Sequence, residues 1–184
     1  MTQTEGTDSP DQSLLARAIQ GDAQAFGDLY ERHLDEIQRF IFYHVANRLE
    51  AEDLTEIVFL KAWQALPRFK TSNVNLRAWL FRIAHNSIVD YYRMCKPMTN
   101  LLDGQLQEDH PSPEHQAQTR DDHQKLLAAI HSLGVKLKQV IICRFVSNLS
   151  HAETAQVMGI KEQHVRVLQH RALKKLRQIL EEEQ

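Results

Sequence analysis

Glycine and proline are scarce in this chain: six and five among 184 residues, about 6 % against a usual share of about 12 %. So few backbone breakers exclude collagen-like, low-complexity and turn-rich β architectures, and predict long helices. No run approaches the ~18 apolar residues that a membrane span needs. The first residues, MTQTEGTDSPDQ, are acidic and polar, unlike a signal peptide. There are only two cysteines, Cys95 and Cys143. They share no ligand spacing with each other or with the histidines, so they read as reduced thiols of a cytoplasmic protein. The ten histidines form no H-E-x-x-H and no His/Cys cluster, and no glycine-rich phosphate loop exists. No catalytic residue, metal site or cofactor is therefore expected. Net charge is almost absent too, at −2, and such a balance by itself favours no nucleic-acid partner.

Charge taken by segment reverses that impression. Residues 1–12 carry three acidic groups and no Lys or Arg, and read as a disordered tail. Residues 13–97 carry 11 basic and 10 acidic groups. Residues 98–122 hold six acidic groups against Arg120, and residues 123–184 hold 10 basic against five acidic. An acidic spacer thus precedes a basic C-terminal unit, an asymmetry that hints at nucleic-acid contact. The spacer also collects Pro97, Gly104, Pro111 and Pro113 and lacks a sustained 3.6-residue period. The expected organisation is all-α: two small helical domains, residues 13–96 and 122–184, joined by a flexible acidic linker over 97–121.

In the first unit, Ser13 is a candidate cap for a helix bearing Leu14, Leu15, Ala18 and Ile19, ending near Gly21. Asp22 opens a second helix with Phe26, Leu29, Tyr30, Leu34, Ile37, Phe40, Ile41 and Val45 on one face. After a polar break at residues 47–50, a third run leads from Ala51 to Trp63 and stops before Pro67. A fourth runs from Leu76 toward Pro97. The loop between the last two offers Lys70, Ser72, Asn73 and Asn75 beside Trp63 and Trp79. The next helix repeats Arg77, Arg82, His85, Asn86 and Arg93. Cations near aromatics suit a strand with unstacked bases; the competing reading is that Trp63, Trp79, Tyr91 and Tyr92 are mostly core.

In the second unit, a helix with Leu126, Leu127, Ile130 and Leu133 ends at Gly134. A stripe of Leu137, Val140, Ile141, Phe145 and Val146 follows. Ser150 with Glu153 reads as a capping box, opening the short helix HAETAQVM, which Gly159 stops. The final helix turns Val165, Leu168, Ala172 and Leu176 inward. That leaves Lys161, Gln163, His164, Arg166, Gln169, His170, Arg171, Lys174 and Lys175 outside. Short helix, glycine turn and basic helix make a helix-turn-helix pattern. Gln163 and Arg166 suit base edges, while Lys174, Lys175 and Arg177 suit phosphates. A solvated basic face is the competing reading.

The stretch AEDLTEIVFLKAWQALPRFKTSNVNLRAWLFRIAHNSIVDYYR resembles region 2, and LSHAETAQVMGIKEQHVRVLQHRALKKLRQIL region 4, of bacterial RNA polymerase sigma factors of the extracytoplasmic-function (ECF) type, within the sigma-70 family. With the helices before them, the resemblance covers residues 13–180. It implies a specificity subunit that binds core RNA polymerase and recognises promoter −10 and −35 elements, without catalysis of its own. It implies that Asp53, Glu56, Ile57, Leu60 and Trp63 bind polymerase at the β′ clamp helices, with the β flap a further contact. It implies a −10 role for Lys70, Ser72, Asn73, Asn75, Arg77, Trp79, Arg82, Asn86, Asp90 and Arg93. The nine outward residues from Lys161 to Lys175 fall to the −35 element. The acidic linker would thread toward basic polymerase channels, and an anti-sigma factor would be a further partner. Two departures stand out. Glu56 and Ile57 replace the usual Gln-Glu, and Val167-Leu168-Gln169-His170 replaces the usual Ser-Arg-Leu-His. Neither a fused N-terminal zinc-type regulator nor a C-terminal extension past EEEQ is expected. The competing function is a stand-alone helix-turn-helix regulator, which leaves the Asp53–Trp63 surface without a role.

Overall fold

The computed structural model describes residues 10–69, 75–95 and 117–182. Among these, all regular structure is helical: α1 (Pro10–Ile19), α2 (Ala23–Val45), α3 (Arg48–Ala65), α4 (Leu76–Cys95), α5 (Ala117–Ser132), α6 (Val135–Ile141), α7 (His151–Met158) and α8 (Glu162–Glu182). A 3-10 turn at Leu66–Arg68 closes α3, and a π turn at Ile142–Val146 extends α6. The expected acidic tail over residues 1–9 and most of the linker, residues 96–116, lie outside the described residues.

Local chemistry sets most boundaries. Asp22 caps α2 by accepting from the Ala25 amide at 3.1 Å. The Arg17 guanidinium also holds Asp22, at 2.7 Å. α1 begins at Pro10 rather than at Ser13. Proline is pre-set for a first helical turn, and Asp11 in that turn reaches Arg32 of α2 at 3.0 Å. α3 starts inside the expected polar break, because Asn47 accepts from the Glu50 amide at 3.2 Å and caps it. α5 begins at Ala117, so its first turn falls within the span assigned to the linker.

Helices α1–α4 pack around Ile37, Phe40, Ile41, Val58, Ala62, Leu66 and Phe81, all buried. Phe40 and Phe81 meet edge-to-face with centroids 5.0 Å apart, joining α2 to α4. Helices α5–α8 close around Ile130, Val140, Ile142, Leu149, Val165 and Ala172. Phe145 is 56 % exposed, against its expected place on the inner stripe. The π turn is wider than an α turn, and the register that faces Ile141 and Ile142 inward carries Phe145 out. Cys143 is buried and free, and burial pushes its thiol up to about 12.

The two units are not held apart. α7 packs along α4, and the π turn packs against α2. One hydrophobic cluster runs from Leu14 and Phe81 through to Ile142, Leu149 and Leu176. Among the described residues the two units thus share one packed junction. Apolar surface on α4, α7 and the π turn is buried by the other unit, and burial of this kind scales with the area covered.

Three histidines meet near this junction. Burial pushes His44 down to about 3, and its Nδ1–H donates to the Phe40 carbonyl at 2.8 Å. The nearby Lys138, His85 and His131 also oppose a charge on it. Burial, then Lys138, pushes His131 down to about 4. Burial alone lowers His85, and it lowers Lys138. The folded state thus binds fewer protons than the unfolded chain below the ordinary histidine range, so stability falls as pH drops from about 6.5 toward these lowered values. Between pH 7 and 5, His44 alone is expected to remove about 2 kcal/mol. Urea unfolding of wild type and His44→Gln checks this; parallel pH dependences in the two would refute the assignment.

Candidate polymerase and nucleic-acid interfaces

α3 is apolar on two sides. Ala51, Leu54, Thr55, Val58, Phe59 and Ala62 face the core. Asp53, Glu56, Ile57 and Leu60, at steps of three, one and three, form the outer face. Ile57 is 43 % and Leu60 57 % exposed, flanked by the two carboxylates. Contiguous exposed apolar side chains rimmed by charge mark a partner surface. Trp63 stands apart from them. It is half-buried against Phe26, with centroids 4.9 Å apart, and belongs to the packing of α2 on α3.

Of the residues expected around the −10 element, Lys70, Ser72 and Asn73 lie outside the described residues. Arg82, Asn86, Asp90 and Arg93 are exposed at steps of four, four and three, a single stripe along α4. Asp90 lies 3.7 Å from both Lys61 and Arg93, which ties the stripe to α3. Trp79 is half-buried, edge-on to Phe69 at 4.8 Å. Asn75 and Arg77 point elsewhere. The Asn75 side-chain oxygen accepts from the Arg77 amide at 2.9 Å, starting α4, while its amide donates to Glu153 at 2.8 Å. Arg77 donates to Glu36 at 2.9 Å and to the Ser147 carbonyl, and its guanidinium lies 5.3 Å from the Phe81 ring centroid. Burial pushes the Glu36 carboxyl up. The bonds from His33, at 2.6 Å, and from Arg77 outweigh it and hold Glu36 below its usual range.

The helix-turn-helix is built as the sequence predicts. Ser150 accepts from the Glu153 amide at 3.1 Å, and Glu153 accepts from the Ser150 amide at 2.7 Å. Gly159 ends α7 in the left-handed region, φ 64°, where a side chain would be strained. Val165 and Ala172 are fully buried, fixing α8 on α6 and α7. Lys161, Gln163, His164, Arg166, His170, Arg171, Lys174 and Lys175 are exposed. Arg166 donates to Glu162, one turn back, at 2.6 Å; this bond is the chief reason that the Glu162 carboxyl sits below its usual range. Gln169 differs from its expected exposure. It is half-buried and accepts from Arg144 of the π turn at 3.1 Å, while Arg144 also donates to the Leu149 carbonyl.

Four residues that hold these sites escaped the sequence reading: Glu36, Arg144, Ser147 and Glu153 as an inter-unit acceptor. Only Glu153 had a local signal, its capping box. Among the described residues no group of three potential ligands gathers to hold a metal. No described helix is long and apolar enough to cross a membrane.

A capped short helix, a left-handed glycine turn and a basic helix with an exposed N-terminal turn define a helix-turn-helix DNA-binding unit. It stands here beside a second helical unit with its own charged face. Residues 29–96 match the family described as Sigma-70 region 2, and residues 129–178 match Sigma-70, region 4. The chain is 34 % identical over 170 residues to the ECF RNA polymerase sigma factor BldN of Streptomyces coelicolor, covering 91 % of this chain and 64 % of BldN. It is 30 % identical over 182 residues to the RNA polymerase sigma factor NccH of Alcaligenes xylosoxydans xylosoxydans, covering 96 % of this chain and 97 % of NccH. Among solved structures, CnrH in complex with the cytosolic domain of CnrY superposes with a TM-score of 0.76 at 25 % identity. That match covers 96 % of this chain and 100 % of the solved chain. The chain belongs to the RNA polymerase sigma factors of ECF type, whose work is promoter-specific transcription initiation with RNA polymerase.

Proposed function

We propose that α3 docks this chain on core RNA polymerase through Asp53, Glu56, Ile57 and Leu60, that α4 reads and opens the −10 element, and that α8 reads the −35 element. The observation that carries this is the succession of an exposed apolar-acidic face, a cationic-amide stripe and a basic helix-turn-helix in one chain. A stand-alone regulator needs only the last of these. Arg82, Asn86 and Arg93 would track and hold an unstacked strand, whose binding offsets the loss of stacking. The protein would act in the cytoplasm and carry no catalytic step. CnrH is seen with the cytosolic domain of CnrY, which supports a protein partner for this chain too; the anti-sigma factor that the resemblance implies would fill that place. The test is in vitro transcription with core polymerase on genomic fragments: initiation at defined start sites is expected, and no binding to core polymerase at moderate salt overturns the reading.

Two substitutions on α8 separate base reading from phosphate anchoring. Arg166→Ala is expected to cost about 1–3 kcal/mol at the preferred −35 sequence and to narrow the gap between sequences. Lys174→Ala is expected to weaken binding to all sequences alike and to reduce the salt slope by about one. Competition binding over a salt series distinguishes them; equal losses on every duplex for Arg166→Ala would remove it from base contact.

A further inference from the structure

We propose that the cleft between α4 and α6 binds a small monocarboxylic acid with an apolar chain, its carboxylate held against Lys138. The cleft has a volume of about 460 Å³, within the range of small-molecule sites. α2 and α4 supply one wall through His44, Ile88, Val89 and Tyr92, and α6 supplies the other through Val135 and Lys138. Gln139 bridges the walls, its amide donating to a ring nitrogen of His85 at 2.7 Å. Val135 is 75 % and Val89 39 % exposed, so the rim presents hydrocarbon to solvent where a ligand chain would cover it. Of the residues read as contacts for DNA or polymerase, Arg93 alone reaches the cleft. The site is therefore separate from those faces.

Charge inside the cleft is unbalanced. Lys138 is half-buried, and among the described residues no acid pairs with it. Burial lowers its ammonium, with no carboxylate acting in the other direction. The nearby rings supply no anion, since burial keeps His44 and His85 neutral. His44, itself buried, also keeps its Nε2 without a partner, where buried polar groups are normally satisfied. A buried charge left unpaired is costly. One carboxylate removes that cost while its chain covers Val89 and Val135. The match is to a single negative charge: Arg93 is exposed and lies 3.7 Å from Asp90, which leaves Lys138 as the inward cation among the described lining residues. A phosphate dianion would remain half-neutralised there.

A proton–nitrogen NMR titration of the full chain with octanoate tests the site and reports the fold in the same spectra. Saturable shifts centred on Ile88, Val89, Tyr92, Val135 and Lys138 are expected. Butanoate should bind roughly tenfold more weakly or worse, because it buries fewer methylene groups. Octan-1-ol lacks the charge and should also bind roughly tenfold more weakly. Lys138→Met keeps an apolar stem of similar length, so octanoate should lose about tenfold while octan-1-ol is little changed. Val135→Glu alters an exposed position one turn before Lys138. It offers the ammonium a carboxylate from within the chain and should abolish octanoate binding. Octanoate should raise the thermal midpoint of wild type with concentration and leave that of Val135→Glu unmoved. Shifts centred elsewhere, shifts that never saturate, or undiminished binding by both variants overturn the site. Equal affinity of wild type for octanoate and octan-1-ol overturns the choice of a carboxylic acid.

Discussion

Leu60→Glu is expected to lower promoter-dependent transcription by roughly 30-fold or more while leaving the fold intact. The side chain is 57 % exposed, so its removal from the surface of α3 opens no cavity, and a glutamate is a good helix former. In the bound state the position is expected to lie among apolar atoms of the polymerase, where hot-spot truncations cost about 2 kcal/mol or more. A carboxylate there adds an uncompensated desolvation cost. The neighbouring Asp53 and Glu56 already make this face negative, so a third acid also raises repulsion within the free chain. Ile57→Glu acts on the same face, one turn earlier, and should behave alike. The measurement is a pull-down with core polymerase alongside in vitro transcription, with circular dichroism as the folding control. Wild-type binding by both variants would move the polymerase contact off α3. Trp63 is the useful contrast, since it packs against Phe26: Trp63→Ala should lose stability first and polymerase affinity only as a consequence.

The contrast between Leu60 and Trp63 shows what a sequence pattern carries. Local signals were legible because their partners are three or four residues away: Asp22 with Ala25, Ser150 with Glu153, the left-handed turn at Gly159. The resemblance to regions 2 and 4 rests on such runs. Ser13 looked like a cap, yet Pro10 begins α1, because the cap signal competed with a proline equally suited to a first turn. Phe145 left the stripe because a π turn cannot be seen in a 3.6-residue period. Trp63 and the exposed face of α3 could not be sorted, since a helix apolar on two sides has no single inner stripe. Least legible was the junction. Arg77 finds Ser147 70 residues away, and Asn75 finds Glu153 78 residues away. Nothing in either local sequence specifies the partner, and residues assigned to DNA were found bonded to protein.

Phe81→Ala is expected to be the most destabilising single change in the first unit, by about 3–5 kcal/mol. Phe81 is fully buried on α4 and meets Phe40 of α2 edge-to-face at 5.0 Å, an arrangement that adds about 0.5–1.5 kcal/mol to its burial. Above the ring, the Arg77 guanidinium lies 5.3 Å from the centroid, within cation–π range. Truncation leaves a cavity between α2 and α4 and removes the ring beneath the guanidinium that reaches Glu36 and Ser147. The loss should therefore appear twice: as a lower urea midpoint, and as weaker coupling between the two units. Phe81→Leu keeps most of the volume and should cost less, separating the cavity from the aromatic contacts. If Phe81→Ala lost less than about 1 kcal/mol in urea unfolding, the packing of α4 on α2 could not be the centre of this unit's core.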